Sequence, residues 1–459
     1  PAILYVSGHD PSPRGAKVAY QHHGQWFARN GYVALVLDTI EFAEIAGIHH
    51  GTHNLNYWYW HSLGYTPAGV EVWNAIRALD YLETRPEVDR TRFGMTGRSG
   101  GGAITWFTAS VDDRIKAAVP VHAAWAVGPQ VRDDVVRGNC DCIYFWNSCQ
   151  LDLPVAAALI APRPLKIVNA TKDTMFPPSS YDKVYELLKP VYQWFDAPDK
   201  LAAYAEATGH SDTPSYRREA NEWLNRWLKN DSTPFDESSI VREPVELLTV
   251  LKERPAKPRN EGIHRSFIPV PKPQVPKTLA AWNTRKAQLT ETLRNKVFQA
   301  LPKDPGPFYT WKEPYAMWTN KYAQSFRVEF NTEQDLRIHG ELFIPRGAGP
   351  HPALVYIKGK DDLVYSVDYD DILSALSTHV VLVLRPRAVD YPIDNFKLAS
   401  AKMSAALLGA TLETFQVWDI LRAVDFLTAD QRLPIRSVAT YGRRDSGVLG
   451  LYAAILNPK

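Results

Sequence analysis

The sequence predicts an α/β fold built on a mainly parallel sheet with helices on both faces. Three observations predict it. Short runs of β-branched and aliphatic residues recur at 2–8, 32–38, 92–97, 115–123, 164–170 and 201–209. Segments with helical character separate them, and strands alternating with helices imply parallel pairing through crossover helices. The composition is that of a globular chain, with 45% apolar and 22% charged residues among 459.

The elements follow in order. AILYVSG (2–8) is a strand ending in Gly, and a Pro/Gly loop at 10–15 leads to a helix near 17–30, closed by Asn30-Gly31. YVALVLD (32–38) is the second strand. Residues 39–64 are irregular and rich in His, Trp and Tyr. Val70, Trp73, Ile76, Leu79 and Tyr81 recur at helical spacing and predict a helix over 67–84. RFGMTG (92–97) is a strand, 100–110 a helix, and IKAAVPVHA (115–123) the next strand. PLKIVNA (164–170) and LAAYAEATG (201–209) complete the set, with helices at about 180–194 and 215–229.

The organisation then changes. Residues 231–320 form a Pro-punctuated stretch, Pro234 to Pro276, read as a linker or a wrapping arm, with a charged helix over 277–299. Beyond it the chain begins again. PALVYIKGKD (352–361) parallels PAILYVSGHD (1–10), and HVVLVL (379–384) parallels YVALVL (32–37). VWDILRAVDFL (417–427) lies over VWNAIRALDYL (72–82), with Val72, Trp73, Arg77, Ala78, Asp80 and Leu82 identical. A hairpin, FRVEF (326–330) and LRIHGELFIP (336–345), precedes the second copy. The expected domains are therefore 1–230, a connector over 231–320, and an incomplete second copy over 321–459. The first copy lacks the hairpin and the second stops at Lys459 before its late strands, so the chain reads as cut at both ends.

Chemistry concentrates in the first copy. TGRSGGG (96–102) fits G-x-S-x-G through Gly97, Ser99 and Gly101, between a strand and a helix. A serine on such a turn is lifted above the sheet, and the crowded turn needs small neighbours. The following helix N-terminus directs N–H groups at any oxyanion formed there. Partners of a nucleophile in this setting follow in the order Ser, acid, His. Asp173 stands after the strand 164–170 and His210 after the strand 201–209, so Asp173 is the expected orienter and His210 the base. Asp152, Asp182, Asp196 and Asp199 compete for the orienter's place. The expected oxyanion donors are the N–H groups of Gly100 and His9, with Asp10 the alternative to His9. Arg98, Trp58, Trp60 and His122 are the candidate substrate contacts, with plain packing a rival explanation for the aromatics.

Other classes are disfavoured. Lys+Arg is 52 against Asp+Glu 50, which offers no electrostatic footprint for nucleic acid. No apolar run of membrane-spanning length is present. The three cysteines, Cys140, Cys142 and Cys149, are too few for a disulfide scaffold, although a local bridge such as Cys142–Cys149 fits the spacing. The spacing of His49, His50, His53 and His61 alone suggests a metal site, but no carboxylate or cysteine is placed with them to complete a ligand set; no metal and no cofactor are expected.

At these residues the chain resembles a bacterial family of α/β-hydrolases described as acetylxylan esterase-like or prolyl oligopeptidase-related. The carrying strings are GYTPAGVEVWNAIRALDYLETRPEVDRTRFGMTGRSGGGA (64–103), DDRIKAAVPV (112–121), NCDCIYFWN (139–147), AAALIAPRPLKIVNATKDTMFP (156–177) and ATGHSDT (207–213). The resemblance implies an α/β-hydrolase fold, the Ser99–Asp173–His210 triad and hydrolysis of a carboxylic ester, with a small ester or an acylated polysaccharide as substrate. It also implies a secreted or periplasmic setting. A serine peptidase and a carbohydrate-binding scaffold are the rival functions. The second copy departs from the pattern: Arg444 of YGRRDSG stands at the nucleophile's place, and Ser446 lacks the flanking glycines, so this copy is expected to be non-catalytic.

Overall fold

The computed structural model describes residues 1–10, 15–251, 253–315, 323–359, 362, 372–389, 395–430, 432–433 and 435–457. Parts of the expected loop at 10–15 and of the string 352–361 lie outside them. The chain divides into two compact units, Pro1–Lys272 with Ala406–Leu408, and Pro273–Ala405 with Gly409–Lys459.

The first unit carries a six-stranded, wholly parallel sheet with helices, the α/β-hydrolase fold. Its strands are β1 (Ala2–Val6), β2 (Val33–Leu37), β3 (Phe93–Arg98), β4 (Ile115–Val121), β5 (Leu165–Ala170) and β6 (Leu201–Glu206). Their order is β2-β1-β3-β4-β5-β6. On one face Ile3, Tyr5, Val119 and Val168 pack against Trp26 and Phe27 of the helix Gln21–Arg29 and against Tyr216, Trp223 and Leu224 of the helix Pro214–Lys229. The helices Pro67–Glu83, Gly100–Val111 and Pro178–Trp194 make up the rest of the cover. Two of these helices start as their sequences require. Thr66 and Thr213 accept from the N–H groups of Gly69 and Tyr216, and Pro67 and Pro214 occupy the first helical position.

Two expectations need revision here. The helix expected over 17–30 is broken at Tyr20, whose φ of −110° and ψ of 27° leave the helical region, so a short turn Ala16–Ala19 precedes Gln21–Arg29. The buried stripe of the helix Pro67–Glu83 is Val70, Ala75, Ala78, Leu79 and Leu82; Trp73 and Tyr81 are half-exposed on its outer side. Within 231–272 the chain is held to the rest of the first unit. Trp26 Nε1 donates to Asp236 O (2.8 Å), the Glu243 N–H to Gln21 Oε1 (2.6 Å), and Arg217 forms a forked pair with Glu237 (2.7 Å for each nitrogen).

The irregular stretch 39–64 encloses a small core of its own, made by Ile40, Trp60, Tyr65 and Val70. Trp60 is 1% exposed, and Gly51 is pressed so closely on its ring that a Cβ there would overlap Trp60. Trp60→Ala is therefore expected to cost about 3–5 kcal/mol of stability, read as a lowered denaturation midpoint.

The second unit contains a mixed six-stranded sheet, ordered β12-β10-β11-β9-β8-β7. The strands are β7 (Thr310–Pro314), β8 (Ala323–Glu333), β9 (Leu336–Pro345), β10 (His351–Ile357), β11 (Val380–Leu384) and β12 (Ile435–Gly442). β8 and β9 form the expected antiparallel hairpin. The repeated strings pair alike. Ala2 stands opposite Val33 and Phe93 in the first sheet, and the residues matched to them, Ala353, Val380 and Val438, stand opposite one another in the second. Phe330 stacks on Phe426 in this unit's core, their ring centroids 4.9 Å apart. Among the described residues, no helix is long and apolar enough to cross a membrane.

Candidate active site

Five loops meet at the carboxyl ends of the first sheet, where ligands of open parallel sheets bind. β1 delivers Ser7–Asp10, β3 delivers Ser99, β4 delivers His122, β5 delivers Asp173, and β6 delivers His210.

Ser99 adopts φ 58° and ψ −122° between β3 and the helix Gly100–Val111. A non-glycine residue held at positive φ costs of order 1–3 kcal/mol and persists where surrounding structure enforces it. Here the enforcement is close packing. A Cβ on Gly97 would stand 2.3 Å from Val6 O, and one on Gly101 would stand 1.9 Å from the same oxygen. The turn is pinned by the Ser99 N–H donating to Val121 O (2.9 Å). The Ser99 side chain makes no helix-capping bond, so its hydroxyl is not used to hold the helix.

Asp173 is 3% exposed and its two oxygens divide the work. Oδ1 accepts from the N–H groups of Met175 (2.9 Å) and Phe176 (3.3 Å). Oδ2 accepts from His210 Nδ1 (2.8 Å) and from His122 Nδ1 (3.0 Å). Burial pushes the carboxyl up, but the bonds from His122 and His210, with the Met175 N–H, outweigh it and hold it well below the usual carboxylate range. Both histidines thus carry their proton on Nδ1, leaving Nε2 of His210 as an acceptor.

The other predicted residues divide. His9 lies over the turn: a Cβ on Gly100 would stand 3.0 Å from its ring, and one on Gly8 would stand 3.3 Å from Ser99 Cβ. The β1 loop and the Ser99–Gly100 turn are therefore brought together. Arg98 donates to the Tyr20 hydroxyl (2.6 Å) and stands 5.0 Å from that ring's centroid. Trp58 is partly exposed and donates to Asn56. Trp60 and His122 are corrected as substrate contacts. Trp60 is sealed in the loop core, and His122 is 0% exposed and bound to Asp173. Asp212 pairs with His22 (2.9 Å) and His23 (3.1 Å), away from the Asp173 pair.

The expectation that no carboxylate or cysteine accompanies the histidines of 49–61 is overturned. Glu71 and Cys140 both reach His49, at 2.7 and 3.4 Å. Sequence spacing could not show this, because the contacts join the irregular stretch to residues far along the chain. All three cysteines are free; Cys140 and Cys142 are buried together and Cys149 is exposed, so the Cys142–Cys149 bridge is absent.

His122 gives the unit an acid sensitivity. Burial lowers its pKa, opposed by the Asp173 bond and assisted by His210, and burial lowers that of His23 in the same way. A histidine depressed in the folded state contributes stability that is fully present above its unfolded pKa of about 6.5 and is lost as pH falls from there. The melting temperature is expected to fall as pH drops below about 6.5, and His122→Asn to flatten that fall in a thermal-melt series.

Comparisons with known proteins find hydrolases and esterases among the chains similar to this one. The chain is 32% identical over 167 residues to "Putative hydrolase YtaP" of Bacillus subtilis (strain 168), covering 35% of this chain and 54% of that protein. It thus spans about half the length of this curated relative. Among solved structures, Methylesterase BT1017 is 22% identical, covers 62% of this chain and 61% of its own, and superposes with a TM-score of 0.43. A glucuronoyl esterase from Sporotrichum thermophile is 18% identical over 51% of this chain and 67% of its own, with a TM-score of 0.38. Residues 13–223 match the profile of the family described as DLH: Dienelactone hydrolase family.

Proposed function

We propose that the first unit is a serine carboxylic-ester hydrolase that removes acetyl or other short acyl groups from a carbohydrate. The observation that carries this is the joint arrangement at the sheet's carboxyl edge: a serine at positive φ on a strand-to-helix turn, with a histidine on the next-but-two strand held by a buried carboxylate. In this reading Ser99 Oγ attacks the ester carbonyl while His210 Nε2 takes its proton. Asp173 keeps the His210 proton on Nδ1 and stabilises the imidazolium. The N–H groups of Gly100 and His9 receive the oxyanion. His210 then protonates the departing alcohol, and a water activated by the same nitrogen cleaves the acyl-enzyme. The match of residues 13–223 to the dienelactone hydrolase family supports a hydrolase reading of this unit.

We further read the second unit as a duplicated, non-catalytic copy. Arg444 supports this: it holds φ 51° and ψ −125° before the helix Asp445–Leu456, nearly the conformation of Ser99, with a side chain that cannot act as a nucleophile.

An activity panel tests the proposal. Acetate release from aryl acetates and acetylated xylan is expected, beside weaker turnover of pectin methyl esters and methyl glucuronates. Absence of ester turnover together with cleavage in a peptide library would replace the esterase by a peptidase.

A further inference from the structure

A second cluster, distinct from Ser99, Asp173 and His210, lies under the loop after β1. His9, His49, His50 and Cys140 each offer one ligand atom, all within 4.8 Å of one another. They come from three separate segments of the first unit. His49 Nε2 stands 3.4 Å from Cys140 Sγ, and both ring nitrogens of His9 stand 3.5 Å from it. A tetrahedral zinc bound at its usual lengths, about 2.0–2.1 Å to nitrogen and 2.3 Å to sulfur, sets an N···S edge of about 3.5 Å. The separations of His9 and His49 from Cys140 Sγ match that edge, a length that an N–H···S hydrogen bond also spans, so the distances admit the ion and the donor set argues for it.

The surroundings fit the same reading. Metal-bound histidines normally rest their other nitrogen on a carboxylate. His49 Nδ1 is 2.7 Å from Glu71 Oε1, and His50 Nδ1 is 3.1 Å from Glu41 Oε1. Both histidines therefore turn Nε2 toward the cluster. Glu41 also accepts from the N–H groups of His49 and His50, which fixes that step of the loop. Asp141, next to Cys140, accepts from the Thr52 N–H (2.8 Å) and His53 Nδ1 (3.1 Å), so the cysteine segment is tied to the histidine segment independently of any ion. Glu71 is 4% exposed, and neither of its oxygens has a well-formed hydrogen bond; its contact with His49 is one of charge and proximity. A buried carboxylate left in that state is costly unless positive charge stands close by.

We propose that His9, His49, His50 and Cys140 form a closed binding site for a thiophilic divalent cation of the zinc type. Four protein donors leave no open position, so the ion's role is structural: it clasps the β1 loop to the 49–50 and 140 segments beside the Ser99–Gly100 turn. The inference does not rest on the esterase reading. Among the described residues Cys142 and Glu71 are able to compete: the Cys142 sulfur is 2.9 Å from Cys140 Sγ and 3.5 Å from His9 Nε2, as a fifth donor or a disulfide partner, and Glu71 and Cys142 form an alternative donor set with His49.

Cobalt titration of the full chain tests it, after chelator treatment under reducing conditions and without oxygen. The expected result is a near-ultraviolet thiolate-to-cobalt band that saturates at one equivalent per chain, is bleached by Zn2+, and accompanies a rise in melting temperature. Cys140→Ser and His49→Gln should lose the band, and Cys149→Ser should keep it. The His122–Asp173–His210 and His22–His23–Asp212 groups contain no sulfur and cannot produce it; the His49–Glu71–Cys142 group does contain sulfur, so Cys142→Ser should also keep the band, and its loss there with retention in Cys140→Ser would move the site to Cys142 and overturn the proposal. Should a variant misfold by circular dichroism, the wild-type titration alone decides. Absence of the band from the reduced wild type, a full band in Cys140→Ser, or a metal-free Cys140–Cys142 disulfide in protein isolated anaerobically would each overturn the proposal.

Discussion

Ser99→Ala is expected to lower kcat for p-nitrophenyl acetate by about 10⁴-fold or more while leaving the fold in place. The reason for the loss is that no neighbouring group can replace the hydroxyl at that turn: Gly100 and Gly101 follow it, and Arg98 before it is bonded to Tyr20. The reason for an intact fold lies in the backbone. Positive φ at residue 99 is enforced by the contacts of Gly97 and Gly101 with Val6 and by the bond to Val121 O, none of which involves the serine side chain. Alanine meets the same backbone strain as serine, so the melting temperature should move little. KM should change little as well, because Oγ interacts with the carbonyl chiefly as the bond forms. Turnover equal to that of the parent, with an unaltered circular dichroism spectrum, would remove Ser99 from the mechanism.

Much of this unit is legible in the sequence, for definable reasons. Strands buried on both faces leave aliphatic runs such as YVALVL, and crossovers leave helical segments between them, so all six strands of the first sheet are foreseen within a few residues. The turn around Ser99 is legible because steric crowding admits few residues besides glycine. What escaped depends on contacts between distant segments. Trp58, Tyr59 and Trp60 are adjacent and chemically similar, yet Trp60 is buried and Tyr59 is 47% exposed, since the direction of each ring is set by Ile40, Tyr65 and Val70 from elsewhere. Composition likewise cannot separate a stiff connector from a docked strap, as residues 231–272 demonstrate. The meeting of His49 with Glu71 and Cys140 has no local signature at all; only the fold creates it.

Asp173→Asn carries the second large effect, about 10⁴-fold in kcat, and its cause is a forced tautomer. The carboxylate has two acceptor oxygens and both are committed, Oδ1 to the N–H groups of Met175 and Phe176, Oδ2 to the Nδ1–H groups of His210 and His122. An amide has one oxygen. If that oxygen keeps the two backbone donors, the amide nitrogen faces both histidines, and each must present an acceptor on Nδ1. The His210 proton then moves to Nε2, which can no longer accept the proton of Ser99. If the amide turns over instead, the nitrogen meets the N–H groups of Met175 and Phe176 and leaves buried donors unpaired, at about 1–3 kcal/mol. Either orientation loses something, and kinetics with melting curves separate them. The first gives low kcat with near-normal stability; the second gives a lowered melting temperature with a smaller kinetic loss. His122→Phe supplies the contrast. It removes a partner of Asp173 without changing the His210 tautomer, so its kinetic loss should be far smaller than that of Asp173→Asn. Equal losses in the two variants would mean that His122, and not His210 alone, takes part in moving the proton.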